Sequence, residues 1–122
     1  LQASAKAWLA EPLPEHITLK DRLYPQTNRA RRVIVGLAGL HRLDGDKAKA
    51  DRAAAALLAA CDFPDWNPAY MGETAEMTFA VAVGYDWLYD HLDPTDRDRV
   101  REALVEKGLR PGLRAYFAEN GQ

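Results

Sequence analysis

The stretch NRARRVIVGLAGLHRLDGDKAKADRAAAALLAA, at residues 28–60, decides the fold class. Apolar residues recur in its first half at the i, i+3, i+4 spacing of a helix that is buried on one face: Val33, Ile34, Leu37, Ala38, Leu40 and Leu43. Gly45 is suited to ending this first helix, and Asp46 is suited to capping a second helix that runs to about Ala60. A single glycine between two helices predicts a tight helical hairpin.

Prolines divide the chain on the N-terminal side of this hairpin. Gln2 to Glu11 predicts a short helix, which Pro12 and Pro14 stop because proline lacks an amide hydrogen and clashes with the preceding turn. The segment from Leu13 to Gln26 is then expected to be irregular. A second proline-containing break, residues 61–72, follows the hairpin and is rich in aromatic and amide side chains.

A second hairpin is predicted beyond this break. Glu73 to about His91 forms a helix that is apolar nearly all round, so it needs cover on most sides. The next helix has Asp93 as its cap and Pro94 in its first position, and Gly108 is expected to end it. A short helix then runs from Leu109 to Glu119, with Leu113, Tyr116 and Phe117 on one side.

These patterns predict one all-α unit built of consecutive helical hairpins. Its parts are a leading helix with a proline-rich segment (1–26), a first hairpin (27–60), an aromatic loop (61–72), and a second hairpin with a trailing helix (73–122). Because so short a chain offers little cover for the apolar helix, we expect it to be a fragment of a larger helical domain.

Composition excludes several classes of function. The chain has 122 residues, with Lys+Arg 16 against Asp+Glu 18, and this mixed, slightly negative charge argues against a nucleic-acid partner. No apolar run is long enough for a membrane helix. The lone Cys61 cannot form an internal disulfide or a cysteine-rich zinc site, and His16 and His41 have no neighbouring nucleophile with which to form a catalytic triad.

Four ordered motifs resemble the heparinase II/III-like family of polysaccharide lyases. They are Asp65-Trp66-Asn67-Pro68, Glu73-Thr74-Ala75-Glu76-Met77, Ala82-Val83-Gly84-Tyr85-Asp86-Trp87-Leu88-Tyr89-Asp90 and Val105-Glu106-Lys107-Gly108-Leu109. The chain departs from the family at Ala69-Tyr70-Met71-Gly72-Glu73, where many relatives read Ser-His-Phe-Leu-Asp. That departure removes the relatives' histidine.

The resemblance implies a fold, an activity and partners. The chain would be the N-terminal part of an incomplete (α/α) toroid, in a periplasmic or secreted protein that cleaves uronic-acid-containing polysaccharide, such as glycosaminoglycan or alginate, by β-elimination. Its partners would be an acidic polysaccharide and the remaining domains of that protein. The family's catalytic residues fall beyond the last motif, so we expect no catalytic residue, cofactor or metal within this chain, which alone would be inactive.

The aromatic loop supplies the candidate substrate-binding residues Trp66, Asn67, Tyr70 and Glu73. Aromatic faces can stack on the C–H faces of sugars, while amide and carboxylate groups bind hydroxyls. The alternative is that Trp66 and Tyr70 anchor the loop onto the core.

Other polar clusters leave further alternatives open. Glu73 and Glu76 lie three residues apart on one helix face. They could act as a functional carboxylate pair, or they could simply stabilise the start of the helix through its dipole. Together with His91 they would be the ligands of a metal-dependent hydrolase. Arg29, Arg31 and Arg32 hint at an anionic partner or an interdomain contact. A non-catalytic helical binding or scaffold module is the main alternative to the lyase.

Overall fold

A computed structural model describes residues 2–119, with the side chain of Gln2 left aside, and over these residues the chain is all-α, as predicted. The helices are α1 (Gln2–Ala10), α2 (Gln26–Arg31), α3 (Leu37–Asp44), α4 (Lys47–Cys61), α5 (Met71–Trp87), α6 (Pro94–Ala103) and α7 (Arg110–Glu119). The π-helical turns Arg32–Gly36 and Leu104–Leu109 join α2 to α3 and α6 to α7, so residues 26–44 and 94–119 are each continuously helical. None of the described helices is long and apolar enough to cross a membrane.

The first hairpin confirms its predicted turn. Gly45 has a left-handed backbone with φ 71°, which an L side chain tolerates poorly, and its N–H donates to the His41 carbonyl at 2.7 Å. The Asp46 side chain then accepts from the N–H of Ala48 at 2.9 Å and caps α4. The α2 helix begins at Gln26, two residues before the predicted Asn28.

The helices of the second hairpin also begin where local signals place them, within two residues. The α5 helix starts at Met71 and ends at Trp87, and a 3₁₀ turn, Tyr89–His91, completes the predicted segment. Asp93 caps α6, because its side chain accepts from the N–H of Asp96 at 2.8 Å.

The prediction that Gly108 ends a helix is wrong. The chain remains helical through Gly108, and Gly45 is the only glycine with positive φ among the described residues. Gly108 instead permits a close approach of helices. A Cβ built there would lie 2.5 Å from Thr78 Oγ1 and 3.1 Å from Trp66 Cζ3. Glycine is therefore required here by packing and not by a turn.

The core lies where the first hairpin packs against α5. Ile34, Leu57 and Val81 are fully buried there, and Gly84 brings α5 so close that a Cβ would lie 2.6 Å from Ile34 Cγ2. One stripe of α5 stays uncovered, since Phe79 is 54% exposed, and Leu113 on α7 is 55% exposed. The first hairpin therefore covers one side of α5, as the apolar sequence of this helix predicts, whereas the stripe that contains Phe79 remains exposed.

Candidate functional site

A groove forms where the aromatic loop meets the proline-rich segment that precedes α2. Its volume is about 540 Å³, and it is open to solvent on one side. The lining residues are His16, Thr18, Asp21, Asp65, Asn67, Ala69 and Tyr70. Two of the four predicted substrate-binding residues, Asn67 and Tyr70, lie in this lining.

Glu73 is the buried centre beneath the groove. It is 5% exposed, and both of its carboxylate oxygens accept two hydrogen bonds. Oε1 accepts from the N–H of Leu23 at 2.9 Å and from Asn67 Nδ2 at 2.6 Å. Oε2 accepts from the N–H of Tyr24 at 3.2 Å and from Arg22 Nε at 3.1 Å. Glu73 therefore ties the first turn of α5 to a segment about 50 residues earlier.

The net effect of these contacts is to lower the pKa of Glu73 below its ordinary value of 4.5. Burial alone raises the pKa, because a carboxylate loses its hydration. The Leu23 N–H, the Asn67 amide, the Tyr24 N–H and the Arg22 guanidinium all favour the charged form, and together they outweigh burial. Glu73 is thus a charged structural acceptor, and its four contacts occupy the oxygens that a sugar hydroxyl would need.

Asn67 holds the loop in place. Its backbone is left-handed with φ 56°, a conformation that asparagine tolerates better than most residues. Its side-chain Nδ2 donates to the Asp21 carbonyl at 2.9 Å as well as to Glu73, and its own N–H donates to Asp65 Oδ1 at 2.9 Å. Because both of its amide hydrogens are engaged, Asn67 positions the groove's walls.

Trp66 does not lie in the groove. Its side chain is fully buried, and the indole Nε1 donates to the Ala60 carbonyl at 3.0 Å. Its predicted role as a stacking face is therefore wrong in this conformation, because no face of the ring reaches solvent. The alternative prediction, that Trp66 anchors the loop onto the core, describes this geometry.

Tyr70 is the one predicted aromatic side chain that reaches solvent at the groove. It is 38% exposed, and the guanidinium carbon of Arg22 lies 4.4 Å from its ring centroid. Arg22 is fixed at Nε by Glu73, while its terminal nitrogens Nη1 and Nη2 have no hydrogen-bond partner among residues 2–119. We name Arg22 and Tyr70 together the Arg22–Tyr70 ledge.

Sequence reasoning missed His16 and Asp21, which complete the lining of the groove, and Arg22, which lies beside it on the Tyr70 ring. His16 Nε2 lies 3.2 Å from Asp65 Oδ1, and the His16 ring packs edge-on against Phe63. No local pattern marks these residues, since each meets a side chain 46 to 51 positions away. The unusual density of prolines around them is the one signal that this segment has a fixed shape.

The other candidate clusters form no comparable site. Within residues 2–119, no three His, Cys, Asp or Glu side chains are grouped so that they could hold a metal ion, and Glu73 already has four donors. The metal-dependent hydrolase therefore gains no support. Two arginines of the basic cluster, Arg29 and Arg32, form ion pairs with Glu11. These ion pairs connect the helical segment that begins with α2 to the residue that follows α1.

No family model matches the chain, and no curated protein is detectably similar to it.

Proposed function

We propose that the chain is the N-terminal helical portion of a polysaccharide lyase of the heparinase II/III-like type. It contributes a wall of the substrate groove, and the β-elimination itself is carried out by residues outside this chain. The resemblance at residues 65–68, 73–77, 82–90 and 105–109 supports the proposal, and so does a fold of paired helices. The (α/α) toroid, the acidic polysaccharide, the remaining domains as partners and a periplasmic or secreted location belong to the same proposal.

The Arg22–Tyr70 ledge carries the proposal. A guanidinium offers a planar fork of donors that matches a carboxylate, and Nη1 and Nη2 of Arg22 are available for this purpose. Because Nε of Arg22 is already held by Glu73, the side chain loses less freedom on binding a uronate. The exposed part of the Tyr70 ring offers an apolar surface for the C–H face of the same sugar.

A non-catalytic helical binding or scaffold module is the second candidate function. It is favoured by the internal use of the loop's polar groups, since Trp66, Asn67 and Glu73 all bind other parts of the chain. A loop whose donors and acceptors are satisfied internally serves stability as readily as recognition.

The test is titration calorimetry of residues 1–122 with oligogalacturonate, alginate and heparin oligosaccharides at low salt. We expect weak, salt-sensitive binding that Tyr70→Ala and Arg22→Gln each reduce about fivefold, the equivalent of about 1 kcal/mol. Tyr89→Ala is the matched control, because Tyr89 is 42% exposed and carries the Arg97 guanidinium 3.9 Å from its ring, outside the groove.

Three results would contradict the proposal. Binding of none of these oligosaccharides, or equal losses in Tyr70→Ala and Tyr89→Ala, would favour the scaffold. Turnover of a uronate polymer by residues 1–122, seen as an unsaturated product absorbing in the ultraviolet, would place the catalytic residues within this chain.

A further inference from the structure

The groove beside the Arg22–Tyr70 ledge presents mainly hydrogen-bond acceptors. The Asp21 carboxylate has no hydrogen bond or ion pair with any described residue. Asp65 engages its Oδ1, with the Asn67 N–H and with His16, and leaves Oδ2 unpaired. The hydroxyl groups of Thr18 and Tyr70, which also line the groove, have no partner within residues 2–119.

The charge of the groove follows from the same contacts. The positive charge of Arg22 is balanced by Glu73 beneath it at 3.1 Å. Asp21 and Asp65 are left as the groove's own charges, and the His16 ring lies against Asp65, with Nε2 3.2 Å from Oδ1. The groove therefore carries a net negative charge, whereas the outer edge of the ledge presents guanidinium donors.

We propose that this groove binds a hydroxyl-rich sugar unit that carries no carboxylate, with the neighbouring uronate placed on the Arg22–Tyr70 ledge. The proposal rests on the proposed function, whose substrate class it refines. Adjacent sugar hydroxyls are paired donors that suit the unpaired oxygens of Asp21 and Asp65. A uronate carboxylate in the same place brings no donor and meets like charge, and one such charge about 4 Å away in water changes an affinity about fivefold.

The backbone around the groove holds these acceptors in fixed positions. Lys20, Asp21 and Asn67 are the only non-glycine residues with positive φ among residues 2–119, and all three lie at or beside the groove. The bond from Asn67 Nδ2 to the Asp21 carbonyl locks the two walls together at 2.9 Å. A ligand therefore does not have to order the Asp21 turn on binding, which favours recognition by a small number of hydrogen bonds.

The experiment compares two ligands that differ only in their carboxylates. The first is an oligogalacturonate, and the second is the same oligosaccharide with every carboxyl group reduced to a primary alcohol. Both are titrated into residues 1–122, into Asp21→Asn and into the control Asp86→Asn, an exposed acid on α5 outside the groove. Asparagine tolerates the left-handed backbone of position 21, φ 65°, so the variant keeps the turn while it loses the charge and exchanges one acceptor oxygen for an NH₂ donor.

We expect Asp21→Asn to bind the oligogalacturonate about fivefold more tightly and the reduced oligosaccharide more weakly, while Asp86→Asn changes neither affinity by more than about twofold. Unchanged affinities in Asp21→Asn, or weaker binding of the uronate form, overturn the inference. If uronate binding still depends on Tyr70 in that case, the proposed function stands without it. If neither oligosaccharide binds, the inference falls, and the proposed function falls with it if alginate and heparin oligosaccharides do not bind either. Binding of the reduced form alone, weakened by Asp21→Asn, supports the groove as a site for an uncharged sugar and, where alginate and heparin also do not bind, contradicts only the proposed function.

Discussion

Replacing Glu73 by glutamine should unfold the contact between α5 and the proline-rich segment before it affects any other part of the chain. The substitution keeps the size of the side chain and exchanges one acceptor oxygen for an NH₂ donor. If the amide oxygen keeps the bonds from Leu23 and Asn67, the new NH₂ group faces the N–H of Tyr24 and Nε of Arg22. At both contacts an acceptor oxygen is thereby replaced by an N–H donor, so that two donors face each other and no hydrogen bond forms.

The cost can be worked out from these two contacts. A fully buried N–H left without an acceptor costs about 1 to 3 kcal/mol, and the N–H of Tyr24, whose bond to Glu73 is part-buried, should cost about 1 to 2 kcal/mol. The Arg22 side chain is 51% exposed, so its lost pairing adds no more than about 1 kcal/mol. We therefore expect Glu73→Gln to lower the free energy of unfolding by about 1 to 3 kcal/mol, a large share of the stability of a domain of this size.

The same carboxylate predicts how stability depends on pH. Because the folded pKa of Glu73 lies below its ordinary value of 4.5, the folded state is stabilised above that pH, and this contribution is lost as the pH falls through the folded pKa. Glu73→Gln has no such proton to bind. The stability difference between the two proteins should be constant above about pH 5.5 and should shrink below pH 4.5.

Urea unfolding, followed by circular dichroism at helical wavelengths from pH 3.5 to 7, measures both effects. The matched control is Glu76→Gln, one turn further along α5, because the buried Oε1 of Glu76 has no hydrogen-bond partner. An amide there costs no contact, so stability should be unchanged or slightly higher. A loss below about 0.5 kcal/mol in Glu73→Gln, or an equal loss in both variants, would refute the role assigned to Glu73.

Two further predictions concern packing and thiol chemistry. Gly108→Ala should lower the free energy of unfolding in urea by about 1 to 3 kcal/mol, because the new Cβ would meet Thr78 and Trp66. Gly72→Ala is the control and should not destabilise the chain, because no atom lies within 4 Å of a Cβ there. Equal effects of the two substitutions would contradict the packing argument. Burial raises the pKa of the Cys61 thiol to about 12, so a disulfide reagent at pH 8 should label it only in urea, and rapid labelling of the folded protein would contradict that burial.

Local signals in the sequence predict most of the helix boundaries. Three of these signals are the Gly45 turn, the Asp46 cap and the Asp93-Pro94 helix start. Each depends on backbone and side-chain chemistry within four residues, so the local sequence is enough to predict it. In the sequence Gly108 resembles Gly45, a glycine that follows a helical pattern, but glycine is needed at position 108 for a different reason. Its reason lies in Trp66 and Thr78, which are 30 or more positions away, and hydrophobic periodicity cannot reveal such a contact.

The candidate site follows the same division between local and distant causes. The sequence directs attention to residues 66–73, because aromatic and amide side chains concentrate there beside an acidic helix start. It cannot say which of them face solvent, and large aromatic residues such as Trp66 are buried more often than not. Asp21, which lines the groove, and Arg22, which stacks on Tyr70 beside it, come from a segment in which nothing but prolines stands out.

Glu73 shows why a binding loop and its support are easily confused in a sequence. A buried carboxylate is stable only where several donors converge on it, so its neighbours must include unpaired backbone N–H groups or cations. An acidic residue in the first turn of an otherwise apolar helix, next to a loop that contains asparagine, therefore indicates a second segment folded over it. That second segment, and not the acidic residue, carries the exposed side chains. For this chain, substitutions at Arg22 and Asp21 should alter ligand affinity, whereas substitutions at Glu73 and Asn67 should alter stability first.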